Sequence, residues 1–113
     1  MKRFTEGVLL RIFVGESDRH GDVPLYEWLV VEAKRQGIAG ATVLRGLEGF
    51  GTHSAIHSSK ILRLSTDLPV VVEIVDSQEK IETFLPTVDQ AVDEGVATLE
   101  SVRIRVYRKD REP

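Results

Sequence analysis

The chain presents segments of strand and helix character in the order β-α-β-β-α-β, and this order limits the available folds more than any single motif. Gly7 to Glu16 sets Val8, Leu10, Ile12 and Val14 against Leu9, Arg11 and Phe13, the period-two pattern of a strand. A polar loop, Ser17 to Val23, leads to Pro24, which suits the first turn of a helix. That helix is predicted to reach about Gln36, with Leu25, Trp28, Leu29 and Ala33 as its apolar stripe and Gly37 as its stop. A second strand is predicted from Ala41 to Phe50, then a Gly/Ser/Thr/His loop from Gly51 to Ser59, with Lys60 to Leu64 as a short strand at its exit. Pro69 to Val75 is the third main strand.

Asp76, with Glu79 three residues on, reads as the cap of a second helix. Ile81, Phe84, Leu85, Val88 and Val92 recur at helical spacing, the clearest periodic signal in the chain. Pro86 falls inside this stripe and is expected to kink or split the helix near Leu85, and Gly95 to end it. The last strand is predicted from Ser101 to Arg108, with Val102, Ile104 and Val106 alternating against Arg103, Arg105 and Tyr107.

With 113 residues and no linker, one domain over 1–113 is expected. The element order is that of the ferredoxin-like α+β fold, an antiparallel sheet with both helices on one face. Strand one would lie between strands three and four, with strand two outside strand three. The uncovered face is then expected to carry Leu9, Arg11, Phe13, Arg45, Leu47, Val71, Glu73, Val75, Arg103, Arg105 and Tyr107, with Arg11 and Glu73 paired across the ladder. So apolar a face points to a homo-oligomer that packs its sheets together.

Charge and composition narrow the function. A net charge of −3 and pI near 5.6 argue against nucleic-acid binding, though not against a local anion site. The absence of cysteine removes disulfides, thiolate metal sites and cysteine nucleophiles. No apolar run is long enough for a spanning helix or a signal peptide, so a cytoplasmic protein is expected.

Several motifs could carry chemistry. Gly49, Phe50 and Gly51 close the second strand, where glycines permit a sharp bend or close approach of a ligand, and backbone N–H groups at such a bend can hold an anion. Arg103, Arg105 and Arg108 suit either phosphate or acids of a neighbouring subunit. His53 and His57 have a metal-ligand spacing if helical, but their loop reads as solvated. Glu16, Asp18 and His20 have acid–base character without a nucleophile or oxyanion site beside them.

The chain resembles the PII superfamily of trimeric signalling proteins, and more closely its PII-like family DUF190. The resemblance rests on Leu10-Arg-Ile-Phe-Val-Gly-Glu16, Pro24-Leu25-Tyr26, Gly37 through Gly51, Pro69-Val-Val-Val-Glu-Ile-Val-Asp76 and Gly95 through Val102, and Thr42 to Gly51 is its most specific block. It implies a homotrimer with an adenine nucleotide in the clefts between subunits, and no enzymatic activity. By position, Thr42 would touch the adenine, Gly49, Phe50 and Gly51 would form the base of a short T-loop equivalent, and Gly95 to Glu100, with Thr98, would replace the phosphate-cradling B-loop. Apart from the resemblance, the arginines at the end of the last strand offer charge-assisted forks, and Arg105 and Arg108 are the ones expected to grip phosphate. Thr52, His53 and His57 would face a partner, which in PII proteins is often a membrane transporter or an enzyme. Glu48 stands where PII proteins often have lysine, and the Gly-Asp-Gly-Lys of the B-loop is missing. Both departures point to AMP or ADP rather than ATP. Two other readings stay open, a metal-responsive trimer of the same fold and a small nucleotide-processing enzyme.

Overall fold

The computed structural model describes residues 3–50 and 67–109. β1 (Phe4–Gly15) is followed by a hairpin of two short strands, β2 (Arg19–His20) and β3 (Val23–Pro24), then α1 (Leu25–Arg35), β4 (Gly40–Arg45), β5 (Pro69–Asp76), α2 (Gln78–Ala91) and β6 (Val96–Arg105). β4, β5, β1 and β6 lie side by side in that order, all pairs antiparallel. This is the expected ferredoxin-like order. The expected strand at Lys60 to Leu64 falls outside the described residues.

The core forms where the helix stripes meet one face of β1 and β5. Leu10, Ile12, Val72, Ile74, Leu29, Ile81 and Phe84 are fully or almost fully buried there, with Leu25, Ala33, Val88 and Ala91 around them. Trp28, Leu85 and Val92, expected in the stripes, are partly buried against this core.

α1 stops at Gly37 for the expected reason. Gly37 adopts φ 81°, its N–H donates to the Lys34 carbonyl at 3.1 Å, and the Ile38 N–H donates to the Ala33 carbonyl at 3.0 Å. This paired closure satisfies the last carbonyls of the helix. The α2 cap differs from expectation by one residue. Ser77 is the cap, its Oγ accepting from the Lys80 N–H at 3.2 Å. Asp76 instead accepts from the N–H groups of Ser77 and Ala39, tying α2's start to the end of the α1–β4 turn. Ser77→Ala should therefore cost about 1 kcal/mol, read as a lowered denaturation midpoint.

Pro86 does not split α2, which runs unbroken from Gln78 to Ala91. It lies on the exposed side of the helix, so the Glu82 carbonyl that loses its N–H partner faces solvent. The helix ends at Ala91, four residues before Gly95, and Gly95 serves the turn into β6 instead.

β6 starts at Val96, not Ser101, and stops at Arg105. Its pairing reverses part of the expected open face. Opposed residues of an antiparallel pair share a face. Arg103 lies opposite Glu6 and Arg105 opposite Phe4, on the side of Val8, Leu10 and Ile12. Arg45 lies opposite Val70, also on the helix side, while Leu47 and Tyr107 lie outside the strands. The open face instead gains Thr42 and Leu44 from β4 and Val96, Thr98, Glu100, Val102 and Ile104 from β6, around Leu9, Arg11, Phe13, Val71, Glu73 and Val75.

Candidate site at the glycine corner and the open sheet face

Antiparallel pairing brings the end of β1, the end of β4 and the starts of β5 and β6 to one end of the sheet. The backbones are close there. The Gly46 N–H donates to the Pro69 carbonyl at 2.7 Å, and the Glu16 N–H to the Leu68 carbonyl at 2.7 Å. A Cβ at Gly46 would come within 2.9 Å of the Pro69 ring, and one at Gly95 within 2.6 Å of the Phe13 carbonyl oxygen. Gly49 also lies against the Pro69 ring, and Phe50 beside it is two-thirds exposed. This corner therefore combines glycine backbone with an exposed aromatic. Gly51, Thr52, His53 and His57 lie outside the described residues.

The acids beside this corner are committed to the scaffold. Glu16 pairs with Arg45. Asp18 accepts from the Gly15 N–H at 2.9 Å, and its carbonyl accepts from the Leu25 N–H. His20 stacks on Trp28, with ring centres 4.0 Å apart. Each of the three groups thus has its own separate partner. Among the described residues no cluster of three or more His, Cys, Asp or Glu is arranged to hold a metal ion.

The open face is organised around Arg11. Its Nε donates to Glu73 Oε2 at 3.0 Å, as expected, and its Nη1 to Glu100 Oε1 at 3.0 Å. These two carboxylates, Glu73 first, hold the Arg11 pKa above its ordinary value, so the guanidinium stays charged. Thr42 lies opposite Glu73 and Thr98 opposite Arg11, so both threonines flank this hub. Thr98 is therefore a strand residue, and Val96 to Glu100 form no loop. Around the hub Phe13, Leu44 and Val96 remain well exposed.

Arg105 and Arg108 are at the other end of the sheet. The Arg105 guanidinium stands 5.2 Å from the Phe4 ring centre and 5.8 Å from that of Tyr107. β6 spans ten residues, so Gly95 and Arg105 lie about 30 Å apart. One chain cannot bring its glycine corner and its own terminal arginines to the same small ligand.

A family model for DUF190, described as an uncharacterized ACR family, matches residues 7–104. The chain belongs to the DUF190 family. A UPF0166 protein of Aquifex aeolicus strain VF5 is 40% identical over 102 residues, which cover 90% of this chain and 96% of that protein. A UPF0166 protein of Methanocaldococcus jannaschii is 36% identical over 84 residues, 74% of this chain and 77% of its own. Among solved structures, CPII of Thiomonas intermedia K12, bound to ADP and bicarbonate, superposes with a TM-score of 0.59 at 17% identity, covering 90% of this chain and 91% of CPII. A Thermus thermophilus protein, described as a candidate PII-like signalling protein, gives 0.61 at 20% identity, covering 89% of this chain and 90% of its own. At such identities the likeness is one of fold, and this DUF190 chain has the PII-like form of the ferredoxin-like sheet.

Two site features of the DUF190 chain lie outside what the sequence pattern marks. Glu100, the second partner of Arg11, precedes Ser101, the predicted start of the last strand, and a strand begun at Val96 would include it. Phe4 carries both Arg103 and Arg105 on its ring, and it precedes Gly7, the predicted start of the first strand.

Proposed function

We propose that this DUF190 chain is a PII-like regulatory protein. It is a cytoplasmic homotrimer that binds AMP or ADP between subunits and signals through residues 51–59 to a partner such as a membrane transporter or channel. It turns over no substrate. The observation that carries this reading is the separation of the glycine corner from Arg105 and Arg108. The two are complementary to one nucleotide only when contributed by different subunits. The uncovered face around Arg11 supplies apolar surface for such packing. The likeness of fold to CPII, a protein solved with ADP, supports the ligand class. The separate engagements of Glu16, Asp18 and His20 speak against the enzyme reading. Signalling requires that the nucleotide bind one loop state better than another.

The test is calorimetric titration with AMP, ADP, ATP and cyclic AMP, with solution mass measured on the same sample. One saturable site per subunit of a trimer, preferring AMP or ADP, is the expected result. A well-formed trimer that binds none of the four would overturn the nucleotide reading.

A further inference from the structure

Among the described residues β6 has a neighbour on one side, β1, so its other edge presents a row of backbone N–H and C=O groups. The usual protections of such an edge are absent from Val96 to Val102. The segment holds no proline and no lysine, and the register of β6 with β1 runs through ten consecutive pairs without a bulge. Its one charge, Glu100, is turned to the open face, where it meets Arg11. On the helix side Ala97, Leu99 and Ser101 lie opposite Ile12, Leu10 and Val8. α2 packs over β1 and β5, and these three residues of β6 remain exposed beside it.

A groove of about 270 Å³ lies between α2 and β6. Val8 and Ile81 line its inner part, Leu85 and Leu99 its sides, and Gln78, Glu82 and Ser101 its polar rim. Gln78 Nε2 donates to Glu82 Oε2 at 2.9 Å, but no described cation pairs with Glu82. Asp89 continues the same side of α2, one turn beyond Leu85. Lys80, the one base of α2, is turned to the end of α1, where it donates to the Gly37 carbonyl at 3.0 Å. Apolar sides thus meet an acidic rim that has no base of its own.

We infer that this groove and the β6 edge together take an extended peptide segment of a partner protein, added as a fifth strand antiparallel to β6. The chemistry sets its pattern. Side chains of an added strand that share the helix side are two residues apart. The one level with Leu99 must be apolar, to fill the space between Leu85 and Leu99. The one level with Ser101 must be Lys or Arg, to reach Glu82. The groove follows Val96 to Ser101, about 20 Å of strand, which suits a peptide segment better than the broad surface of a folded domain. A second copy fits less well. Its edge strand β4 carries Val43 and Arg45 at this spacing on the helix side, but Arg45 is already paired with Glu16. The inference goes beyond the proposed function and rests neither on its trimer nor on its nucleotide.

The probe is a terminally blocked, fluorescein-labelled peptide, Thr-Lys-Thr-Leu-Thr-Val-Thr, which sets lysine level with Ser101 and leucine level with Leu99. Its anisotropy is followed as the full chain is added. Saturable binding is expected below about 1 mM, weakened about tenfold by Glu82→Lys and by Leu99→Ser. A peptide with glutamate in place of lysine should bind the wild type about tenfold more weakly. It should bind Glu82→Lys to within about threefold of the original pair, since the pairing is restored with reversed sign. Both substituted side chains are exposed, so the urea midpoints should stay unchanged. Saturating peptide should also slow hydrogen exchange at the β6 amides severalfold, which side-chain contact alone would not do. No saturable binding by that limit, equal binding by wild type and both variants, or unchanged exchange overturns the strand addition. If Leu99→Ser or the peptide instead lowers the solution mass of an oligomer, the edge belongs to a second copy and the proposal falls.

Discussion

Truncation of Phe84 to alanine should destabilise the fold by about 3–5 kcal/mol, the largest loss expected from any single core side chain here. Phe84 is fully buried, and among the described residues it is the largest of the fully buried side chains. It sits on α2 between Ile81 and Val88, facing the Leu10, Ile12, Val72 and Ile74 layer of β1 and β5. The loss combines the transfer free energy of the ring with a cavity that a sheet backbone closes poorly. A domain of this size is stable by about 5–15 kcal/mol, so much of the margin would go. Urea unfolding at fixed protein concentration checks this, with Leu85→Ala alongside. Leu85 is only partly buried in the same stripe, so its truncation should cost clearly less. A Phe84→Ala loss under about 1 kcal/mol, or one equal to that of Leu85→Ala, would contradict the packing described.

That core is readable from periodicity because burial and pattern agree there. In β1 and β5 every second side chain meets a helix, so the alternation of Val8 to Val14 and of Val70 to Ile74 reports the face directly. In β6 the same logic misleads. Val96 to Ser101 form an edge strand exposed on both faces, so nothing in Val-Ala-Thr-Leu-Glu-Ser marks a start. Farther on, Val102 and Ile104 do alternate with arginines, but the strand there has run past the helices. The apolar residues face the open side, and the arginines lie on the side that elsewhere is core. A pattern of period two identifies two faces without saying which one is covered. Pro86 is a parallel case: its position in the stripe suggests a break, yet its exposed side of α2 lets solvent satisfy the freed carbonyl. For the candidate site, the glycine corner is legible in Gly49 and Gly95. The distance from that corner to Arg105 is not, since it depends on the strand register.

Gly95→Ala should cost about 2–4 kcal/mol, because its two penalties have no easy release. The added Cβ would stand 2.6 Å from the Phe13 carbonyl oxygen, with Val92 and Val14 side chains at 3.3 and 3.6 Å behind it. The Phe13 backbone is held on one side by Val71 and on the other by Val96, so it cannot retreat without disturbing two ladders. Gly95 also has φ 155°, a conformation L side chains rarely adopt. Gly40→Ala is the matched comparison. A Cβ there meets nothing within 4 Å, so the change should stay within about 0.5 kcal/mol of the wild type. Gly95 belongs at once to the β1–β6 junction and to the corner proposed to meet a nucleotide. Under the proposed function, Gly95→Ala should weaken ADP binding at least about tenfold at temperatures where the protein stays folded, since the shifted junction no longer presents its backbone to the phosphates. Gly40→Ala should bind ADP as the wild type does. If Gly95→Ala loses stability as expected but keeps full ADP affinity, the glycine serves only the close approach of the two strands, and the nucleotide contact at this corner must be assigned elsewhere.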